Sequence, residues 1–452
     1  MLVGCASLQS GSRSGVDDAP AAPLAWSGAS ASAAADTAAA AVWWQQFADE
    51  RLTQLVAEAA VRNSDVRSAL ARVAQARAAR ALAAAGLSPN LSGSASAQAS
   101  RREGAGASTR SVGADLDAAW SPDLWGGTRA GVTAADAETQ ASQLTLAQTH
   151  VAVTTELALA YIELRNAQAR LAIAQDNLAS QEETLQITRW RVQAGLASTL
   201  DSDQAESAAA QTRAQLPALR TAIAQSANAI AVLAGRAPGE LNDLRSAAPL
   251  PQPRADIALA LPAQVLRQRA DVQAAEARVR AAASRVEQAD AARLPSLDIG
   301  GSIGLNALAL SRLGSGAGVA SLAASISLPL LDGGRLRAQV QAQEAAWDEA
   351  RSSYRATVLG ALQDVENALV AIDGARVQQV ELATAIAAAR RAAELAQTRY
   401  EAGLIDFLTV LTTRRTLLQI EDSTASAAAN LASQHVRLYQ SAGGGWAPLS
   451  TP

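Results

Sequence analysis

Few residues in this chain have side chains on which catalysis or metal binding usually depends. The 452 residues include one cysteine, Cys5, and two histidines, His150 and His435. A single cysteine excludes a disulfide framework and a cysteine-based zinc site. Both histidines fall in helical stretches, where lone histidines are usually surface or packing residues. Since we find no glycine-rich phosphate loop, paired-histidine ligand set or serine–histidine–aspartate arrangement, the sequence predicts no enzyme and no bound metal.

The cysteine has a different predicted role, as a site of lipid attachment. Leu2-Val3-Gly4-Cys5 has the pattern of a bacterial lipobox, in which an apolar residue and two small ones precede the acylated cysteine. The following stretch, 7–35, is rich in Gly, Ser, Ala, Asp and Pro and cannot form a core. We therefore expect a covalent lipid on Cys5 and no other cofactor. The alternative is an unmodified, buried cysteine.

The charge balance and hydropathy exclude two further classes. With 38 basic and 42 acidic residues the net charge is −4, whereas a nucleic-acid-binding protein needs a basic face. No stretch of the sequence reaches the roughly 18 continuous apolar residues that a membrane helix needs. If the chain crosses a membrane, it must do so with β-strands.

The chain is a tandem duplication. Asp65-Val66 aligns with Asp271-Val272, and the stretch from Arg191 to Leu196 aligns with that from Arg399 to Leu404. Each copy is predicted to run helix, β-hairpin, helix, turn, helix. The predicted organisation is an anchor site and flexible tether at 1–42, a first repeat at 43–240, a proline-rich linker at 241–262, a second repeat at 263–442 and a tail at 443–452.

Long helices dominate both repeats. From Val132 to Ala194 the chain contains no glycine or proline. Leucines recur every seven residues in this run, with alanines three positions on, which is typical of a coiled-coil seam. At 1.5 Å per residue the run could reach roughly 95 Å. Gly195 should end it, and the second copy repeats the pattern from Leu336 to a break at Gly403.

Four shorter runs alternate between apolar and polar residues and predict two hairpins, at about 89–124 and 295–331. Polar positions on these runs include Asp115, Asp117 and Asp298. Each run approaches the 9–11 residues of a membrane-spanning strand. A half-buried sheet in a soluble protein would show the same alternation, so both interpretations stay open. Four strands cannot close a barrel, and an open edge in lipid leaves backbone groups unpaired, so the membrane interpretation predicts that three chains supply twelve strands.

Taken together, these residues resemble the TolC-like outer-membrane factors of tripartite efflux systems, in the lipoprotein (NodT-type) branch. The resemblance covers nearly the whole chain from Trp43. The motifs that carry it are Trp43-Trp44, Asn63-x-Asp65, Asp123-Leu124-Trp125-Gly126, Leu233-x-Gly235-Arg236 and Pro329 through Gly334, together with the duplication itself.

The resemblance implies a mainly α fold with a small membrane β part. Three chains would form a 12-stranded β-barrel, four strands per chain, in the bacterial outer membrane, and the long helices would form an α-barrel that extends into the periplasm. A periplasmic adaptor and an inner-membrane pump would bind this homotrimer, which would conduct substrates passively. Its contacts would be with outer-membrane lipid and these proteins, with no nucleic acid.

The resemblance also assigns roles to particular positions. The adaptor would meet the turns at Gly195 and Gly403, with the flanking residues Arg191, Leu196, Arg399 and Leu404. Related channels often have aspartates near the second turn that ring the closed pore. Here the corresponding positions are Thr409 and Thr412, with Asp406 a turn away and Asp201 in the first copy opposite Thr409. The resemblance therefore leaves open whether this periplasmic gate uses a carboxylate ring. Asp115, Asp117 and Asp298 would face the lumen.

Several alternatives remain open at this stage. The glycine turns could be ordinary helix ends, and the three strand aspartates could be solvated carboxylates. A lipid-tethered structural coiled-coil protein of the periplasm would explain the heptads and Cys5, but not four strands of spanning length. Within the export class the chain could also be the exit duct of type I protein secretion. The sequence does not select a substrate.

Overall fold

The structure is a computed structural model that describes residues 23, 25–26, 41–101, 108–253, 262–308 and 317–446. It is mainly helical, with one four-stranded antiparallel sheet. Both copies follow the predicted order of helix, hairpin, helix, turn and helix. The first contains α1 (Glu50–Arg62), α2 (Ser64–Ala85), β1 (Asn90–Arg101), β2 (Ser108–Trp120), α3 (Gly127–Gln193) and α4 (Thr199–Leu233). The second contains α5 (Pro262–Gln268), α6 (Ala270–Ala291), β3 (Ser296–Ala307), β4 (Ala317–Ser327), α7 (Arg335–Glu401) and α8 (Phe407–Ser441).

The helices that follow the hairpins are very long in both copies. Helices α3 and α7 each contain 67 residues, and α4 and α8 each contain 35. At 1.5 Å per residue, α3 is about 100 Å long. It begins before Val132, since Gly127 and Gly131 lie within its first turns. Having no Cβ atom, these two glycines allow α6 to approach the helix closely. A Cβ atom on Gly127 would lie 3.0 Å from that of Ala291.

The sheet has two chemically different faces. Its strands are ordered β1-β2-β3-β4, and the register pairs Asp117 with Ser302 and Leu116 with Ile303. Because paired residues point to the same side, one face holds serines and the aspartates, and the other holds alanines, leucines and isoleucines. The apolar face is exposed, with Ile303 at 68% and Leu322 at 83%. Strand β4 begins at Ala317, before Leu322, where the clearest alternation of apolar and polar residues in this strand begins.

The chain divides into two compact units. One unit includes Ala71–Leu144 and Gln273–Thr357, and therefore holds the sheet. The other includes Thr145–Val272 and Val358–Pro452, and therefore holds both glycine turns. Among the described residues, none of the helices combines the length and the apolar character that crossing a membrane demands.

The core of the second unit is built around buried aromatic side chains. The Trp43 ring stacks on Tyr439, with centroids 5.5 Å apart. The Tyr161 hydroxyl donates to Asp49 at 2.8 Å and accepts a hydrogen bond from Arg165 at 2.8 Å. Burial raises the pKa of Tyr161 to about 12. Tyr161 therefore stays protonated and links α3 to the N-cap residue of α1.

Candidate functional site

The first glycine turn closes the end of α3 with two backbone hydrogen bonds. The Gly195 N–H donates to Val192 at 3.0 Å, and the Leu196 N–H donates to Arg191 at 2.7 Å. Gly195 has φ +69°, a left-handed conformation that costs other residues about 1–2 kcal/mol. This hydrogen-bond pattern is the Schellman motif. The spacing from Arg191 to Leu196 is therefore the spacing of a helix C-terminus.

The second glycine turn repeats the first. The Gly403 N–H donates to Tyr400 at 3.0 Å, and the Leu404 N–H donates to Arg399 at 2.9 Å. Gly403 has φ +72°. The duplicated sequence motif thus encodes a duplicated backbone geometry, in which the arginine supplies the accepting carbonyl and the leucine supplies the donating amide.

Both turns expose a leucine. Leu196 is 77% exposed and Leu404 is 73% exposed. In a Schellman motif the residue after the glycine often packs back against the last turn of the helix. These two side chains remain mostly exposed instead, so neither leucine is buried against the helix that its turn ends.

The predicted gate residues cap the helices that follow the turns. Ser198 and Asp201 form a capping box at the start of α4, with the Ser198 N–H donating to Asp201 at 3.0 Å. At the start of α8 the order is reversed, with the carboxylate at the N-cap and the hydroxyl three residues later. Asp406 is the N-cap residue and accepts a hydrogen bond from the Thr409 N–H at 2.9 Å. Hydrogen bonds from the Thr409 side chain and backbone lower the pKa of Asp406. The Thr412 hydroxyl donates to the Leu408 carbonyl at 2.8 Å.

A stacked pair of side chains connects the helical hairpin α3–α4 with the helical hairpin α7–α8 beside their glycine turns. The Arg191 guanidinium carbon lies 4.6 Å from the centroid of the Tyr400 ring. Tyr400 in turn contacts the buried Phe407 ring, with centroids 5.5 Å apart. Sequence reasoning identified Arg191 but missed both aromatic partners. The signal was their scarcity, since only four tyrosines and two phenylalanines occur in the chain. The corresponding arginine of the other turn, Arg399, is exposed.

A second set of contacts joins α8 to its neighbours. Arg170 on α3 binds Asp422 with two hydrogen bonds of 2.6 and 3.2 Å. Glu421 accepts from Asn177 on α3 at 3.1 Å and from Arg390 on α7 at 3.2 Å. No sequence motif predicted these pairs. They form a polar connection between the two repeats.

The three predicted strand carboxylates share the polar face of the sheet. Asp115 lies against Gly304 on the neighbouring strand, where any larger residue would overlap the carboxylate. Asp117 is paired with Ser302. Asp298 accepts from the Ser121 hydroxyl at 2.5 Å and from Ser296 at 3.4 Å. The structure thus places all three on one surface, while their role in a lumen stays a prediction.

The remaining predicted positions bear less on the site. Cys5 lies outside the described residues. The His435 ring contacts the Leu431 carbonyl at 2.8 Å and is buried. Partial burial lowers the pKa of His150. Within the described ranges, no group of three or more His, Cys, Asp or Glu side chains is placed to hold a metal ion.

Comparison with known proteins decides the family. A family model described as outer membrane efflux protein matches residues 55–236 and 261–444, once for each repeat. The chain belongs to this family. The resemblance proposed from the motifs is confirmed, and so is the fold class of tandem-duplicated long helices with a small four-stranded sheet.

Individual relatives cover most of the chain. The pyoverdine export outer membrane protein OpmQ of Pseudomonas putida is 33% identical over 417 residues, which is 89% of this chain and 88% of OpmQ. Nodulation protein T of Rhizobium leguminosarum bv. viciae is 32% identical over 420 residues, 90% of this chain and 85% of that protein. The solved structure of the outer-membrane channel OprN matches with a TM-score of 0.84 and 34% identity, covering 95% of this chain and 99% of that one.

Proposed function

We propose that this outer membrane efflux protein is the channel component of a tripartite efflux system and conducts substrates passively from a periplasmic adaptor and inner-membrane pump to the exterior. The observation that carries the proposal is the two-faced sheet. One exposed face is apolar, and the opposite face has aspartates and serines. A membrane strand that lines an aqueous channel needs this arrangement, with apolar residues toward lipid and polar residues toward the lumen.

The sheet also supports a trimer. Strands β1 and β4 are the edges of the four-stranded sheet, and the hydrocarbon core offers no partner to an open edge. Pairing of β1 in one copy with β4 in the next removes both edges. Three copies then form twelve strands, an even number within the range of outer-membrane barrels. Asp115, Asp117 and Asp298 face the lumen of this barrel.

The exposed turn leucines support the adaptor contact. Leu196 and Leu404 lie at two similar turns. A trimer therefore presents six exposed leucines, three at the first type of turn and three at the second. An apolar side chain on a rigid turn is a suitable anchor for a helical partner, which would bury it in a groove. Arg191 and Arg399 supply the adjacent charge. The carbonyls of both arginines accept hydrogen bonds within the turns. Because the Arg191 guanidinium also stacks on Tyr400, the exposed Arg399 side chain is the more accessible of the two to a partner.

We further propose that Cys5 carries a lipid that anchors the chain in the outer membrane. One acyl chain gives only marginal membrane binding, so the strands supply the second, stronger attachment. The protein performs no chemistry of its own and needs no cofactor besides this lipid.

The cargo is proposed to be small organic molecules. The relatives include proteins named for pyoverdine export and for toluene efflux, which differ widely in chemistry. This range supports a channel that leaves selection to the pump. A duct for protein secretion has no comparable support among those names.

Conductance in planar bilayers tests the channel. The purified protein should produce discrete current steps with a preference for cations, because carboxylate rings favour cations. The double variant D115N/D117N should reduce that preference and keep the steps. A matched control is D65N, which removes a carboxylate from α2 instead of the sheet. Absence of current steps from a correctly folded protein, or an equal effect of both variants, would contradict the proposal.

A further inference from the structure

A cavity lies between the helical hairpin formed by α3 and α4 and the helix α8. It lies entirely within the compact unit that holds the glycine turns. Residues of α3, α4 and α8 line it, and its volume is about 200 Å³. Ala208, Phe407 and Leu411 give it an apolar wall. Gln181, Thr184 and Gln211 supply uncharged polar groups. The cavity is therefore amphipathic.

The charged residues that line the cavity are all positive. Arg414 and Arg415 both line the cavity, and none of the described lining residues is acidic. Arg414 donates to two neutral partners, the Ser180 hydroxyl and, at 3.4 Å, the Gln397 side chain. Neither arginine forms an ion pair with a carboxylate in the described part of the chain.

Two carboxylates on the helices that line the cavity are paired with other arginines. Glu182 accepts from Arg213 at 2.5 Å, and Glu421 accepts from Arg390 at 3.2 Å. The two lining guanidinium groups thus have no carboxylate within ion-pair distance in the described part of the chain, and Arg414 is partly buried beside the cavity. Such clefts concentrate the field and attract anions.

We propose that this cavity binds a small organic anion, with a carboxylate or sulfonate at the arginines and one aromatic ring or short alkyl chain against the apolar wall. A guanidinium makes strong, paired hydrogen bonds with such acid groups. The size is suitable, because a protein cavity of about 150 Å³ accepts benzene. The proposal rests on the charge, size and lining of the cavity, and benzoate binding can be measured whether or not the chain conducts, so it does not depend on the proposed function.

Calorimetric titration of the full-length, detergent-solubilised protein with benzoate tests the site. We expect one benzoate per chain. Benzamide, which has the same shape without the charge, should bind at least about tenfold more weakly, the loss typical of one charge-assisted hydrogen bond. The double variant R414Q/R415Q should weaken benzoate binding by a similar factor. R220Q is the matched control, since it removes an exposed arginine of α4 that does not line the cavity.

A second variant separates loss of the site from loss of the fold. A208F should fill the cavity and abolish binding without changing any charge, and an unchanged melting temperature of the ligand-free variants would show that they fold. Equal affinity for benzoate and benzamide, or unchanged benzoate affinity in both R414Q/R415Q and A208F, would overturn the proposal. Failure to detect benzoate binding to the wild-type protein would overturn it as well.

Discussion

The guanidinium group of Arg191 stacks on the ring of Tyr400, 4.6 Å from the ring centroid. One residue precedes the first glycine turn and the other precedes the second, so the contact connects the two hairpins beside their turns. Tyr400 also contacts Phe407, the first residue of α8. The arginine and the two aromatic rings therefore contribute to the relative position of the two turns.

The first prediction concerns this stacked pair. Arg191→Ala should loosen the turns, because a partly exposed cation–π contact contributes about 0.5–1 kcal/mol. We expect faster amide hydrogen exchange at the starts of α4 and α8. Arg399→Ala is the matched control, since Arg399 is exposed at the same position of the other turn. Equal acceleration by the two variants would show that the stacking has no such effect.

The second prediction concerns the turn glycines. Gly195→Ala and Gly403→Ala should each destabilise the helical hairpin by about 1–2 kcal/mol, because both positions have positive φ. Gly360→Ala should do the opposite, by up to about 1 kcal/mol, since Gly360 lies inside α7 with open space around it. Thermal unfolding midpoints of the three variants distinguish these effects. A stabilised Gly195→Ala protein would be incompatible with the described turn.

The third prediction concerns the exposed leucines. Leu196→Ser and Leu404→Ser should weaken binding of a purified periplasmic adaptor while leaving the thermal midpoint unchanged, since neither side chain is buried. Val61→Ser is the control, because Val61 is 74% exposed on α1. The affinity of the adaptor for each surface-immobilised channel variant measures the effect. Retention of full affinity in the double leucine variant would remove the turns from the adaptor interface.

The fourth prediction concerns acidification. Since the pKa of Asp406 is lowered in the folded chain by its hydrogen bonds with Thr409, the cap contributes stability above the ordinary aspartate pKa of 3.8 and loses it as the pH falls through the lowered value. The first turn of α8 should therefore open more readily below about pH 4.

Hydrogen exchange of the Thr409 amide at several pH values, corrected for intrinsic exchange rates, measures this effect. Asp406→Asn should abolish the pH dependence while preserving the cap, because asparagine is also a favourable N-cap residue. An identical pH profile in the variant would assign the transition to another group.

Much of the fold could be predicted because its signals are local. A run without glycine or proline predicted α3, the glycine after it predicted the turn, and period-two alternation predicted the strands. The start of α3 was not predicted. The glycine-free run began at Val132, yet Gly127 and Gly131 also lie within the helix, where the absence of a Cβ atom allows α6 to pack closely.

The side-chain contacts of the site could not be predicted in the same way. Arg170 binds Asp422, and Asn177 binds Glu421, although these residues lie in different repeats. Such contacts depend on the rotation and longitudinal offset of packed helices, which no local pattern encodes. The exchange of Ser198 and Asp201 for Asp406 and Thr409 could be seen in the aligned repeats, but their pairing as helix caps required the backbone geometry.

The most direct test of the channel is the mass of the detergent-solubilised protein by light scattering, with the detergent contribution subtracted. Three chains are required to close the four-stranded sheet into a barrel, so we expect about three times the chain mass of 46.3 kDa. A stable species of one chain mass would leave both sheet edges open in the membrane and would contradict the trimeric channel.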